Sequence, residues 1–250
     1  MSLDTPVFAA PPRTVTVEVW SDVACPWCWI GKRRFASALR EFAHRDHVDV
    51  HWRSYQLSPG TPAGPGRPEI DALAAMKNLP REQVEQMFAH VTSVGAGEGL
   101  RYDFAQTLAF NTFDAHRLLH LAREAGGAAL VEATMEALFA AHFEQGVDLG
   151  ADGALVSIAA QAGFATHGWD DARVTAALAG GDATDAVRED LATARALGVT
   201  GVPFFVVDRK YAVSGAQPAE VFAQLLDAGW REANPLAAAP TGDTCSDEGC

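Results

Sequence analysis

Hydrophobic positions along this chain switch between two periods. Residues Thr14 to Trp20 read T-V-T-V-E-V-W, with Val15, Val17 and Val19 alternating with polar neighbours, the period of a strand. After Ser21-Asp22-Val23-Ala24 and the run Cys25-Pro26-Trp27-Cys28, the positions Ile30, Phe35, Ala38 and Leu39 suit one buried face of a helix. Pro26 fits an early helical position, where its missing N–H costs little. Val48, Val50 and Trp52 alternate again, predicting a second strand near 47–55. Strand, helix, strand in this order suggests a parallel βαβ unit.

The stretch 58–68 is dense in Pro and Gly and predicts a linker. Helical spacing then dominates for more than a hundred residues. Pro80 is expected to open a helix striped by Val84, Met87, Phe88 and Val91. Ala115, Leu118, Leu119 and Ala122 predict another, stopped by Gly126-Gly127, and Val131, Met135, Leu138 and Phe139 a third. Asp152 is expected to cap a fourth, and a short piece follows around Ala172 to Leu178. The α/β pattern then returns. A helix striped by Val187, Leu191, Ala194 and Leu197 precedes a buried strand at Phe204 to Val207. Tyr211 to Ser214 is its hairpin partner, and Pro218 opens a last helix. The fold expected is α/β, with parts at 14–57 and 183–232 flanking a linker and all-helical insertion at 58–182. Residues 233–250 lack an apolar period and are expected to be a flexible tail.

The chain has 250 residues, 48% of them hydrophobic, enough for a sizeable core. Nineteen Lys and Arg stand against 32 Asp and Glu, a net charge of -13. That field repels phosphate backbones and anionic lipid, so neither nucleic acid nor a membrane is expected as a partner. Met1 to Pro12 carries no Lys or Arg and is broken by three prolines. It therefore reads as a disordered lead and not a secretory signal, and the expected location is the cytoplasm.

Four cysteines come as two close pairs, Cys25/Cys28 and Cys245/Cys250. In a cytoplasmic chain, thiols so spaced are catalytic or metal-binding sooner than structural. The first pair sits between a predicted strand and a predicted helix. A helix start exposes unpaired N–H groups and the positive end of the macrodipole. A thiolate there is stabilised, and the thiolate is the nucleophile. Cys28, one turn on, is placed to attack whatever Cys25 captures. Half a zinc site and two incidental thiols are the other readings of C-x-x-C. A structural zinc needs a second ordered ligand pair, so redox chemistry is preferred. Far along the chain, Val202-Pro203 directly precedes an apolar strand. Pro has no N–H for a sheet, so it belongs at a strand start, an edge or a bulge. A cis peptide is one solution and a plain turn proline is another.

Together these marks resemble the thioredoxin fold of the DsbA family, and within it the FrnE-like branch. They are Ser21-Asp22-Val23-Ala24-Cys25-Pro26-Trp27-Cys28-Trp29-Ile30-Gly31, Asn111-Thr112-Phe113-Asp114-Ala115-His116-Arg117, Gly201-Val202-Pro203-Phe204-Phe205 and Ser214-Gly215-Ala216-Gln217. The tail pair, spaced C-x4-C, is similar to an extra motif of that branch. The resemblance implies that Cys25 attacks, Cys28 resolves, and Pro203 is cis against them. Val202 would then offer backbone groups to an extended substrate. It implies no organic cofactor and, as partners, disulfide-containing proteins or small thiols such as glutathione. The hydroxychromene-carboxylate isomerase and kappa-type glutathione transferase group also resembles this chain, but uses a serine near the position of Cys25.

Other residues carry weaker expectations. His116 and His120, at i and i+4, with His142 beyond, have a metal-compatible spacing, though packed or surface histidines are commoner. Glu18 is expected on an exposed strand face, with a proton shuttle to Cys28 as the alternative if it is buried. Asp22 is expected to cap the helix or order the loop. Trp27 and Trp29 flank the thiols and are expected to form an apolar substrate lip. Cys245 lies fifteen positions beyond Trp230, a coil of ~20–25 Å on average, so the tail pair is expected within reach of the first as a redox relay. Three rival classes stay open: a glutathione-dependent isomerase or transferase, a soft-metal thiol protein, and a chaperone-like binder.

Overall fold

The structure, a computed structural model, describes residues 11–235. Residues 1–10 of the lead expected at Met1 to Pro12, and the tail pair Cys245/Cys250, lie outside the described residues. A four-stranded sheet runs in the order β2-β1-β5-β6, built from β1 (Val15–Ser21), β2 (Val48–Ser54), β5 (Phe204–Val207) and β6 (Tyr211–Ser214). β1 pairs parallel with β2 in the register Val17 to Val50, and antiparallel with β5 in the register Val19 to Phe205. The crossover from β1 to β2 is α1 (Pro26–Glu41), as the alternating and helical patterns predict.

Period two along β1 assigns its two faces. Val15, Val17 and Val19 pack with Phe35, Ala38, Phe205, Phe222 and Leu226 under α1 and α8 (Ala219–Ala233). Trp20 points the other way, packing on Ala194 of α7 (Thr184–Ala196), and its indole N–H donates to the Asp190 carbonyl at 3.2 Å. Each large apolar side chain fully buried in these layers contributes on the order of 2–3 kcal/mol.

Between β2 and α7 lie the helices α2 (Glu69–Lys77), α3 (Arg81–Gly97), α4 (Phe113–Phe143), α5 (Ala154–Ala162) and α6 (Asp171–Gly180). A two-strand ladder, β3 (Arg67–Pro68) with β4 (Leu108–Ala109), closes the linker. Their shared core reaches back to Val23, Cys25, Cys28, Trp29 and Ile30. The thiols therefore sit at the seam between sheet layer and helical insertion.

Several local expectations are corrected. Helix α2 has no counterpart in the sequence reading, because its only buried residue is Ala72 and it shows no apolar stripe. The helix stop expected at Gly126-Gly127, by contrast, is present: α4 consists of two helical stretches that meet at Gly127, whose φ of 67° and ψ of -155° are non-helical and open to glycine. Asp152 does not cap α5; Gly153 does, at a φ of 77° and with no side-chain hydrogen bond.

Candidate active site

The loop after β1 delivers Cys25 as the N-cap of α1, in extended backbone at φ -102° and ψ 110°. Pro26 occupies the first helical turn, and no side chain caps the helix, so its free N–H groups face the thiol region. Backbone bonds fix the turn: Cys25 N–H donates to Asp22 O at 3.0 Å and Cys28 N–H to Cys25 O at 3.0 Å. Both thiols are buried, Cys28 fully and Cys25 with 4% exposure, so Cys25 lies nearer the surface. Burial pushes the Cys28 thiol well up, and the adjacent Cys25 sulfur adds to it, so Cys28 holds its proton.

The second half of the site comes from the distant Val202–Pro203 step, whose peptide bond is cis. The Cys25 thiol donates to the Val202 carbonyl at 3.6 Å. Pro203 O accepts from Gly215 N–H at 2.8 Å, which ties the step to the end of β6. Gly31 makes this approach possible: a Cβ there would lie 2.8 Å from Pro203 Cγ. Arg34, one turn further, bridges the Ala216 carbonyl at 2.7 Å and Glu98 at 2.6 Å. The structure thus brings Cys25, Cys28, Val202 and Pro203 together from positions some 175 residues apart in sequence.

The tryptophans divide. Trp27 is half-buried beside His90, with ring centroids 5.8 Å apart. Trp29 is no lip: it is 2% exposed, stacks on Phe139 at 5.6 Å, and donates its indole N–H to Glu136 at 3.2 Å. Helical spacing turns it away from Trp27 and into the insertion. Asp22 does not cap α1. Its carboxylate orders the loop, accepting from Leu57 N–H at 2.7 Å and Ala24 N–H at 3.4 Å.

Glu18 fits neither sequence expectation. It is buried, yet it serves no thiol; Arg53 at 2.8 Å and Arg209 at 2.8 Å saturate its carboxylate. The Arg209 hydrogen bond above all, then Arg53, holds Glu18 below the usual carboxylate range against the opposing effect of burial. His116 and His120 diverge too. His120 meets Asp190 at 3.0 Å and Ser54 at 3.2 Å, while His116 lies 3.4 Å from Asp22. Among the described residues no cluster of three or more His, Cys, Asp or Glu is arranged to hold a metal.

Two groups near the thiols escaped the sequence reading. Tyr102 donates its hydroxyl to the Pro26 carbonyl at 2.7 Å, and burial pushes its phenol up, with Cys25 and Cys28 adding to this. Glu69 lines a cleft of about 390 Å³ that opens beside Ala24 between Leu57, Met76 and Phe110. Burial, then the charge of Asp22, raises its carboxyl to about 7. Neither residue sits in a motif; only the insertion's path over α1 places them here.

A family model for the DSBA-like thioredoxin domain matches residues 16–227. The chain belongs to that family. It is similar to a structure described as a "probable DsbA oxidoreductase" from Streptomyces coelicolor, at 42% identity and a TM-score of 0.80, covering 94% of this chain and 98% of that one. More distant likenesses within the DsbA-like fold include a 2-hydroxychromene-2-carboxylate isomerase, at 15% identity and a TM-score of 0.62 over 89% of this chain and 98% of that one. The cytosolic disulfide reductase DsbM of Pseudomonas aeruginosa, solved with glutathione, matches at 17% identity and a TM-score of 0.56 over 87% and 96%. No curated protein sequence matches the chain. Among the described residues, no helix is long and apolar enough to cross a membrane.

Proposed function

We propose that this DsbA-like protein is a thiol–disulfide oxidoreductase, with disulfide isomerisation as a further capability, working through Cys25 and Cys28. Cys25, as thiolate, attacks one sulfur of a substrate disulfide and expels the other as a thiolate. Cys28 then attacks the Cys25 sulfur of the mixed disulfide. The Cys25–Cys28 bond forms, the bond to substrate breaks, and the substrate leaves with two electrons and both sulfurs reduced. An external dithiol or glutathione returns the pair to its reduced state. The observation that carries this reading is the contact of the less buried Cys25 thiol with the carbonyl of Val202 at the cis-proline step, while Cys28 is fully buried.

An extended substrate lies along Val202 and Pro203 by main-chain pairing, with half-buried Trp27 as its apolar lip. Substrates are disulfide-bearing proteins or small disulfides in the cytoplasm. The chain divides into thioredoxin-like parts at 14–57 and 183–232, the insertion at 58–182 and the tail at 233–250. Its branch is FrnE-like, and the tail pair Cys245/Cys250 relays electrons to or from Cys25/Cys28. No organic cofactor takes part.

Insulin reduction driven by dithiothreitol or glutathione tests the reading. The full chain accelerates precipitation of the insulin B chain, and Cys25→Ser falls to the uncatalysed rate. Equal rates for the two overturn the assignment. For the relay, Cys28→Ser traps a disulfide between Cys25 and a tail cysteine; mass mapping that finds none removes the tail from the mechanism.

A further inference from the structure

Resolution requires the Cys28 thiol to lose a proton in a place sealed from solvent. The buried carboxylate on the same strand does not take it, because Glu18 is occupied by Arg53 and Arg209. Other polar atoms lie near Cys28. His116 Nε2 is buried and makes no hydrogen bond within the protein, and the buried Ser21 Oγ has no partner other than the Cys28 sulfur. Both residues line a cavity of about 10 Å³ between β1, β2 and α4, the room one water needs. Leaving such atoms unpaired costs roughly 1–3 kcal/mol each, so their survival at this spot points to a use.

The Ser21 hydroxyl, on the cavity wall, and the Asp22 backbone N–H both hydrogen-bond the Cys28 sulfur and favour its thiolate. His120, also on the wall and one turn along α4 from His116, is in contact with Ser54 and Asp190, and its side chain is partly exposed. Asp22 Oδ1 lies 3.4 Å from His116 Nε2, close enough to hold an imidazolium. The charged and titratable groups facing this region are Asp22 and Cys28 from the β1–α1 segment, Arg53 from β2, Asp190 from α7, and His120, Arg123 and His142 from α4 itself. Glu69 of α2 acts on it through Asp22.

We propose that Ser21 and His116, joined by a water in this cavity, are the proton path of the resolving cysteine. As Cys28 attacks the mixed disulfide, its proton passes through Ser21 and the water to the His116 imidazole, beside Asp22. The sulfur–sulfur bond forms between Cys25 and Cys28, and the departing substrate thiolate keeps the electron pair. Reduction of the disulfide runs the same path backwards. Ser21 and His116 are positioning residues: they act through Cys28 and do not touch substrate.

The inference rests on thiol exchange at Cys25/Cys28, and one experiment separates the two. The full chain carrying Cys245→Ser and Cys250→Ser is reduced and mixed with Ellman's reagent in a stopped-flow instrument. The first thionitrobenzoate released reports attack by Cys25; the second reports its displacement by Cys28. His116→Gln and Ser21→Ala leave the first release intact. They slow the second about 100-fold at pH 7, the ordinary worth of a positioned acid–base group. The rate of that second release then climbs about tenfold per pH unit, as expected when hydroxide replaces the relay. Glu18→Gln changes neither release. A second release with wild-type rate and pH profile in both variants overturns the proton path, as does equal slowing of both releases. A wild-type chain that shows no first release overturns the exchange reading and the path with it.

Discussion

Strand β1 buries polar groups at two places, and they are finished differently. Around Glu18 everything is paired. Arg53 and Arg209 grip the carboxylate, Arg53 continues to Asp190, and Asp190 collects His120 and the Ser54 N–H. Burial pushes the Asp190 carboxyl up, yet the hydrogen bonds of His120 and Ser54 hold it below its usual range. Three residues further on, next to the thiols, pairing is incomplete. Ser21 Oγ, His116 Nε2 and both ring nitrogens of His142 lack partners, Glu69 is raised to about 7, and Cys28 holds its proton. A satisfied buried network gives rigidity and a unique packing. An unsatisfied one beside a nucleophile keeps groups whose protonation can change, which is where function is expected.

The contrast can be broken most forcefully at Gly31. Gly31→Val drives a side chain into the Pro203 ring. It should cost about 2–3 kcal/mol of stability and remove most insulin-reducing activity, because α1 and the proline step can no longer meet. Urea denaturation and the insulin assay read the two effects.

His142 is next. Burial holds its imidazole down at about 4, while the unfolded chain binds that proton below ~6.5. The folded state therefore loses stability as pH falls from about 6.5 to 4, by roughly 2–3 kcal/mol in all. His142→Leu should abolish this slope and be no less stable at pH 7, since it removes two orphaned nitrogens. Melting temperatures at pH 4.5 and 7 make the comparison.

At the paired place, Glu18→Gln should cost about 1 kcal/mol at pH 7, a small figure because Arg53 and Arg209 reach water. The carboxyl is depressed on folding, so its contribution is fully present above the unfolded value of ~4.3 and vanishes as pH falls through the folded one. Wild type and Glu18→Gln should thus converge in acid, with activity equal throughout. An effect of similar size and opposite sign is expected at Glu69. Its folded carboxyl is raised, so ionisation destabilises the fold as pH rises from about 4.3 towards 7. Glu69→Gln should gain about 1 kcal/mol at pH 8 and nothing at pH 4; chemical denaturation at both pH values checks it.

Much of the scaffold is legible along the chain. The alternating valines of β1, the Cys25-Pro26-Trp27-Cys28 helix start and the Phe204–Val207 strand all follow from period and turn chemistry. What escaped has physical reasons. Helix α2 buries too little to leave a stripe. Glu18 reads as an exposed position because period two names a face, not what covers it; two arginines do. Trp29 looked like a partner of Trp27 because neighbours in sequence face different ways on a helix.

Local sequence alone determined that Cys25 stands at a helix start and that Cys28 follows one turn later, since proline and spacing act within a few residues. Only the tertiary structure decided that Val202 and Pro203 close over that thiol, that Gly31 admits them, and that Ser21, Asp22 and His116 meet behind it. Those contacts join residues more than ninety positions apart, and their burial and pairing are properties of the packed whole.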